Sequence, residues 1–267
     1  MLLNNIKLRF KRKKKDYKRV VVIAHRGFSA IAPENTLISF QKAIEIGADM
    51  IEFDVSLSKD GIPVVIHDKT LNRTTNSKGK VEDFTLEELK SFDAGSWYKP
   101  SFTGEKIPTL EEVILLAKGK IMLNIEIKKH SVKRKIKING LEHKIVNLLE
   151  KHGMIDEVLI SSFSKMAIQR IKEFNPEIPV AYLYRFGINL RLINSFDKLG
   201  IYSFNQGKRS FSKKSIQDIH LKGIKLNIYT VNQKREMKKF IKNGVDGIIT
   251  NHPDKLLAVI ESLEFTN

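Results

Sequence analysis

Residues 50–68 read MIEFDVSLSKDGIPVVIHD and put Glu52, Asp54, His67 and Asp68 at the ends of apolar runs. Glu52 and Asp54 are two apart, so on a strand both project to one face. Carboxylates that close repel unless a proton or a cation intervenes. Glu126, in LNIEIK, is expected one strand over at matching depth and adds a third. The chain has no cysteine, which excludes disulfides and thiolate metal sites. Three carboxylates without thiolates suit a hard divalent cation, Ca²⁺ or Mg²⁺. The competing reading is surface alternation on a half-buried hairpin, with the acids solvated or bridged by lysine.

Of the seven histidines, His25 and His67 fall on strand ends. Imidazole titrates near neutral pH, so such a pair can serve as base and acid in turn. His130, His143, His152 and His220 read as structural, and His252, in the final TNHPD turn, as a loop residue. Arg26 and Lys128 bring two cations to the same place. An arginine fork matches phosphate oxygens and a lysine acts as a point charge. Both are equally suited to pairing with the carboxylates. Gly27 permits close backbone approach. Asn35, in APENT, either hydrogen-bonds a carboxylate or ligand oxygen or caps a helix together with Thr36. Metal, cationic oxygen binders and an acid/base pair together describe phosphate-ester cleavage. No P-loop pattern is present, which argues against nucleotide phosphoryl transfer of that type.

These groups need a scaffold that gathers distant strand ends. Eight strand-like runs are read: 19–25, 49–55, 120–128, 157–163, 179–185, 200–206, 225–232 and 246–251. Amphipathic stretches such as TLISFQKAIEIG, TLEEVILLAKG and GLEHKIVNLLEKHG lie between them, with Ser, Thr or Asn at the start and Gly or Asn at the end of several, as helix caps require. Near-continuous apolar strands alternating with helices indicate a parallel sheet. Eight units over about 250 residues fit a TIM-type (β/α)8 barrel, with an open doubly wound sheet as the alternative. Asp60-Gly61 is a tight-turn signal, so the chain doubles back after the second strand. Residues 69–109 then form a small insertion that carries Trp97. In such barrels the working groups sit at the C-terminal strand ends, where His25, Glu52, Asp54, Glu126 and Lys128 all fall.

Hydrophobic residues make up 42% of the 267-residue chain, ample for a large core over 20–262. Net charge is +17. The first 19 residues hold nine Lys/Arg and one Asp, a charge of +8; the other 38 Lys/Arg and 29 Asp/Glu leave +9. This basic tail reads as a solvated extension or, with Leu2, Leu3, Ile6, Leu8 and Phe10, as a weak interfacial helix on anionic membrane. No usual secretory signal and no apolar run of the roughly 18–20 residues needed for a membrane span is seen. The expectation is a cytoplasmic protein, at most peripheral to the membrane. The charge also raises nucleic-acid binding, but no recognised motif supports a specific nucleic-acid partner.

The stretches AHRGFSAIAPENTLISF, GADMIEFDVSLSKDGIPVVIHDKTLNRTT, GSWYKPSFTGEKIPTLEEVI, LNIEIK, IYTVN and NGVDGIITNHPD, in this order, resemble the glycerophosphodiester phosphodiesterase family from about residue 20 to residue 260. The resemblance implies a TIM-type barrel with an insertion after the second strand. It implies hydrolysis of deacylated phospholipid headgroup diesters to glycerol 3-phosphate and an alcohol, with a divalent cation. It assigns Glu52, Asp54 and Glu126 to the metal, His25 and His67 to acid/base work, and Arg26 and Lys128 to phosphate. The order of the histidines, and whether water or a glycerol hydroxyl attacks, stay open. Two positions depart from the family pattern: Tyr229 stands where tryptophan often precedes TVN, and Asn251 where aspartate is common. Asn35, Phe163 and Tyr229 are the candidate substrate-pocket residues. A lysophospholipase D-like activity on lysophospholipids at a membrane surface is the alternative.

Overall fold

The apolar runs form strands β1 (Val21–His25), β2 (Met50–Leu57), β3 (Pro63–Val65), β4 (Met122–Ile127), β5 (Val158–Ser162), β6 (Val180–Tyr184), β7 (Ser203–Gly207), β8 (Lys225–Tyr229) and β9 (Gly247–Thr250). The computed structural model describes residues 20–135 and 138–264. The basic segment 1–19, with its expected membrane contact, lies outside the described residues. All pairings are parallel except β2 with β3, and β1 pairs with both β2 and β9. That last pairing closes eight parallel strands into a barrel and eliminates the open doubly wound sheet. Each of the eight expected runs holds one barrel strand.

Helices α1 (Leu37–Glu45), α2 (Leu86–Ser91), α3 (Leu110–Ala117), α4 (Leu141–His152), α5 (Lys165–Phe174), α6 (Leu190–Asn194), α7 (Lys213–Leu221), α8 (Lys234–Lys242) and α9 (Pro253–Glu264) follow the strands. Their starts are chemically marked. Thr36, Thr85 and Thr109 cap α1, α2 and α3 and form reciprocal capping boxes with Ser39, Glu88 and Glu112. Each cap is worth about 1 kcal/mol. Gly153, at φ 66°, ends α4 in the left-handed conformation, which glycine adopts without steric cost.

Alternation along the strands builds two apolar layers. Outward residues such as Phe40's neighbour Phe53, Ile125, Ile160, Phe204 and Ile228 are buried against the helices. Inward residues Ile23, Met50, Met122, Leu159, Ala181 and Ile249 plug the lower barrel. The upper interior is therefore the place left for polar groups.

The hairpin read from Asp60-Gly61 is present, with Val55 opposite Val65 and Leu57 opposite Pro63. One detail differs from expectation. Glu52 and Asp54 do not end β2, because the strand runs on to Leu57 by pairing with β3 beyond the barrel rim. Residues 66–109 then fold over a separate small core of Val64, Ile66, Leu71, Val81, Leu89, Ala94 and Ile107. Among the described residues, no helix is long and apolar enough to cross a membrane.

Candidate active site

β1 delivers His25 to the barrel mouth, and the chain then turns sharply through Arg26 (φ 56°) and Gly27 (φ 83°). A Cβ at Gly27 would stand 2.7 Å from the Ser39 carbonyl carbon, so the turn needs glycine both for its dihedral and for its closeness to α1. The turn aims the Arg26 amide at Glu52, to which it donates at 3.1 Å.

Inward-facing Glu52 and Asp54 on β2 meet Glu126 on β4, where Asp54 and Glu126 are register partners. All three are buried, and one carboxylate oxygen from each lies within 4.8 Å of the other two. Lys128 Nζ donates to Glu126 at 2.8 Å and to Asp54 at 3.2 Å. Arg26 Nε lies 3.4 Å from Asp54 Oδ2. Asn35 Nδ2 donates to the same oxygen at 2.9 Å. This decides the two readings of Asn35: it binds a carboxylate, and Thr36 is the cap of α1. Arg26 and Lys128 are ion-paired, as their simpler reading held, and they stand at the mouth as the phosphate reading requires.

Two cations do not neutralise three buried carboxylates. Burial pushes Glu52 well above the ordinary range, helped by repulsion from Asp54 and Glu126. Burial and Asp54 raise Glu126 to about 7. For Asp54 burial acts in the same direction, but Lys128 and Arg26 outweigh it and hold the group below its usual value. Oxygen donors this crowded and this reluctant to ionise together fit a hard divalent cation, which relieves the repulsion.

The two imidazoles flank this cluster. His25 Nδ1 is 2.6 Å from Asn251 Oδ1, and its Nε2 is 3.9 Å from Glu52. Burial, with Arg26 adding, lowers its pKa to about 4. His67 arrives by a different route. The Ile66 amide bonds the Asp54 carbonyl at 3.0 Å, which docks the hairpin return onto β2 and sets His67 beside the carboxylates. His67 Nδ1 is 2.6 Å from Asp68 Oδ1. Burial lowers its pKa, opposed by Asp54 and Asp68.

Sequence reading missed the circuit that joins the two sides. Arg73 Nε donates to Asp68 at 2.7 Å, and its terminal nitrogens donate to Glu34 at 2.9 and 2.8 Å. Glu34 in turn accepts from Arg26 at 2.7 Å. Only the position of Glu34 beside Asn35 hinted at this. Three other histidines have partners elsewhere: His152 pairs with Glu111, His220 with Asp246, and His143 meets Phe174. His130, in the turn after Lys128, feels the Lys128 and His67 charges.

The mouth opens into a pocket of about 190 Å³. His25, Arg26, Glu52, His67, Glu126 and Lys128 line one side, and Phe163, Leu183, Arg185 and Tyr229 line the other. Phe163 and Tyr229 meet edge to face at 6.4 Å, and the Arg185 guanidinium lies 5.3 Å from the Phe163 ring centre. The pocket brings nine of the ten candidate residues together along its wall or in direct contact with it. Asn35 acts behind Asp54.

The sequence profile of the glycerophosphoryl diester phosphodiesterase family matches residues 25–255. The chain belongs to this family. A glycerophosphodiester phosphodiesterase of Caldanaerobacter subterraneus is 40% identical over 91% of this chain and 98% of its own. One from Bacillus subtilis is 33% identical over 88% of this chain and 85% of its own. A phosphodiesterase of Oleispira antarctica, solved with the product sn-glycerol-3-phosphate, superposes with a TM-score of 0.84 at 34% identity, covering 90% of this chain and 96% of that one. As a member of the family the protein is a phosphoric diester hydrolase. Its two departures from the family pattern have structural answers. The Tyr229 hydroxyl donates to the Tyr184 carbonyl at 3.2 Å, which leaves the ring as pocket wall. Asn251 supplies an oxygen to His25, as an aspartate would.

Proposed function

We propose that the protein hydrolyses glycerophosphodiesters such as glycerophosphocholine or glycerophosphoethanolamine to glycerol 3-phosphate and an alcohol. The observation that carries this reading is the convergence of three buried carboxylates, two hydrogen-bonded imidazoles and two cations on one pocket. Glu52, Asp54 and Glu126 would hold Ca²⁺ or Mg²⁺, which supplies Lewis-acid stabilisation of charge on the phosphoryl oxygens. Arg26 and Lys128 neutralise the remaining phosphate charge.

The imidazole environments suggest the division of labour. His25 donates its Nδ1 proton to Asn251, leaving Nε2 free, and its lowered pKa keeps the ring neutral near pH 7. That suits a base, which takes the proton of the attacking hydroxyl or water as the new P–O bond forms. His67 is backed by the anionic Asp68, whose own pKa is about 2 because bonds from Arg73 and His67 outweigh its burial. The Asp68 carboxylate opposes the lowering that burial imposes on His67 and holds the ring by Nδ1, which leaves Nε2 to carry the proton that the departing alkoxide takes as the old P–O bond breaks. If a glycerol hydroxyl attacks first, a cyclic phosphate forms and the same pair, with roles exchanged, admits water.

The test is direct. Purified protein is expected to release glycerol 3-phosphate from glycerophosphocholine or glycerophosphoethanolamine. Release should stop with chelator and return on addition of Ca²⁺ or Mg²⁺. Full activity after His25→Ala would falsify the acid/base assignment.

A further inference from the structure

The loops that follow β6 and β7 stand at the barrel mouth, beside the pocket. Residues 185–191 read RFGINLR and residues 207–214 read GKRSFSKK. Together they hold six Lys/Arg and no Asp/Glu, a charge of +6. Lys208 pairs with Glu236 of α8 at 2.7 Å. Among the described residues, Arg185, Arg191, Arg209, Lys213 and Lys214 are exposed and have no ion pair. Across the mouth, by contrast, Lys69 and Lys133 are held by Glu82, and Arg73 by Glu34 and Asp68.

Two large apolar side chains stand among these free charges. Phe186 is 68% exposed and Leu190 49%. The loop that carries them is pinned from within. Ile188, between them, is buried, and its carbonyl accepts from Ser215 Oγ at 2.8 Å. The Phe186 and Ser210 carbonyls accept from one buried amide, Gln206 Nε2, at 3.3 and 2.7 Å, which ties the two loops together. Asn189 caps α6 by accepting from the Leu192 amide at 3.0 Å. Scattered exposed apolar residues are ordinary. A pinned loop that turns Ile188 inward and both Phe186 and Leu190 outward presents them to something outside the chain.

Cations around an exposed phenylalanine and leucine match the surface of an anionic bilayer, where lipid phosphates meet the Lys/Arg and the acyl boundary takes the apolar groups. A single-stranded nucleic acid would use the cations and a flat ring, but Leu190 has no π face on which a base could stack. A second copy in a symmetric dimer would set six cations against six. We infer that the loops after β6 and β7 dock on an anionic phospholipid bilayer, with Phe186 and Leu190 entering the headgroup–acyl boundary. Phe186 meets Tyr184 edge to face at 5.9 Å, and the Tyr184 carbonyl accepts from Tyr229 of the pocket wall. Docking therefore sets the pocket opening at the lipid–water boundary. The inference stands apart from the catalytic reading.

Segment 1–19 carries a charge of +8 of its own, so the test must locate the contact as well as detect it. It uses the full chain and vesicles of equal parts phosphatidylglycerol and phosphatidylcholine with brominated acyl chains. Phe186→Trp, made together with Trp97→Phe, puts the single indole in the docking loop. Its emission is expected to shift to the blue and to be quenched on these vesicles, and to stay unchanged with phosphatidylcholine alone. Vesicle affinity by sedimentation should fall about fivefold for each charge removed by Lys213→Gln and Lys214→Gln. Phe186→Ser with Leu190→Ser should lower it about tenfold. All four side chains are exposed, so the thermal midpoints should match that of the wild type. Bound protein whose indole is neither shifted nor quenched would place the contact elsewhere and overturn the inference. So would vesicle affinity that survives both sets of substitutions. Single-stranded oligonucleotide held more tightly than the vesicles, and weakened by the same substitutions, would give the patch to nucleic acid instead. Turnover of soluble glycerophosphocholine should be alike in wild type and variants; its absence with docking intact would sink the catalytic reading alone.

Discussion

The two sides of the barrel mouth are built on different principles. On β1, β2, β4 and the return after β3, the rim residues His25, Glu52, Asp54, His67, Glu126 and Lys128 are all ionisable. Each is fixed by a hydrogen bond or ion pair. On β5 to β8 the rim is Phe163, Leu183 and Tyr229, placed by packing, with Arg185 as the sole charge that lines this side. Among the described residues Arg185 makes no ion pair and lies over the Phe163 ring. On the proposed function, the contrast separates chemistry from recognition. Charges held at short range in low dielectric would act on the phosphoryl group that every substrate shares. The aromatic wall would act on the headgroups, which differ.

That division can be broken first where the effect is largest. Asp54→Asn or Glu126→Gln is expected to lower kcat/KM at least about a thousandfold for every diester, since a bound cation is worth several kcal/mol at the transition state. Calorimetry should show cation affinity lost in step. A variant that kept both would detach the carboxylates from the chemistry. His25→Ala and His67→Ala should each cost about 10²- to 10⁴-fold in kcat with cation binding retained, alike for choline and ethanolamine diesters. Arg73→Met cuts the link between Asp68 and Glu34, and is expected to lower kcat by about tenfold through misplacement of His67 and Arg26. On the recognition side, Phe163→Ala should raise KM several-fold, to a degree that depends on the headgroup, with kcat nearly unchanged. Tyr229→Phe should do less, because the hydroxyl is already spent on the Tyr184 carbonyl. Equal effects on all substrates would dissolve the distinction.

The charged side also has a thermal signature. Glu126 keeps its proton up to about pH 7 in the folded protein, through burial and repulsion from Asp54, but loses it near 4.5 when unfolded. Its stabilisation is therefore complete below the unfolded value and is lost as pH rises through about 7. Histidines with lowered pKa work in the opposite sense below about pH 6.5, so the comparison belongs above it. Cation-free protein should melt lower at pH 8 than at pH 6.5, and by less in Glu126→Gln. Added Ca²⁺ or Mg²⁺ should raise the wild-type midpoint more at pH 8, where protons no longer compete for the carboxylates.

The same division decides what could be read in advance. Barrel strands show as apolar runs because both faces are buried, and Asp60-Gly61 announces the hairpin by its backbone demands. Ionisable residues at strand ends stand out against those runs, which made the charged side legible. The recognition side is harder. Asn124, Ser161 and Asn205, which also line the pocket, are ordinary polar residues inside apolar strands, and only their alternation with outward residues hinted that they face inward. The end of β2 was misplaced because its last three residues pair with β3, a contact outside the barrel pattern.

By itself the sequence determined the inventory: three carboxylates, two imidazoles and two cations, each assigned to a strand end by local periodicity. Tertiary structure decided the pairings. His25 finds Asn251 226 residues away, Arg73 finds Glu34 39 residues back, and Asn205 is turned by Asn227 across a strand boundary. Periodicity reports which face a side chain takes, and it decays within one element. A hydrogen bond or a shifted pKa depends on distances of a few ångströms between elements, and those exist only once the barrel has closed.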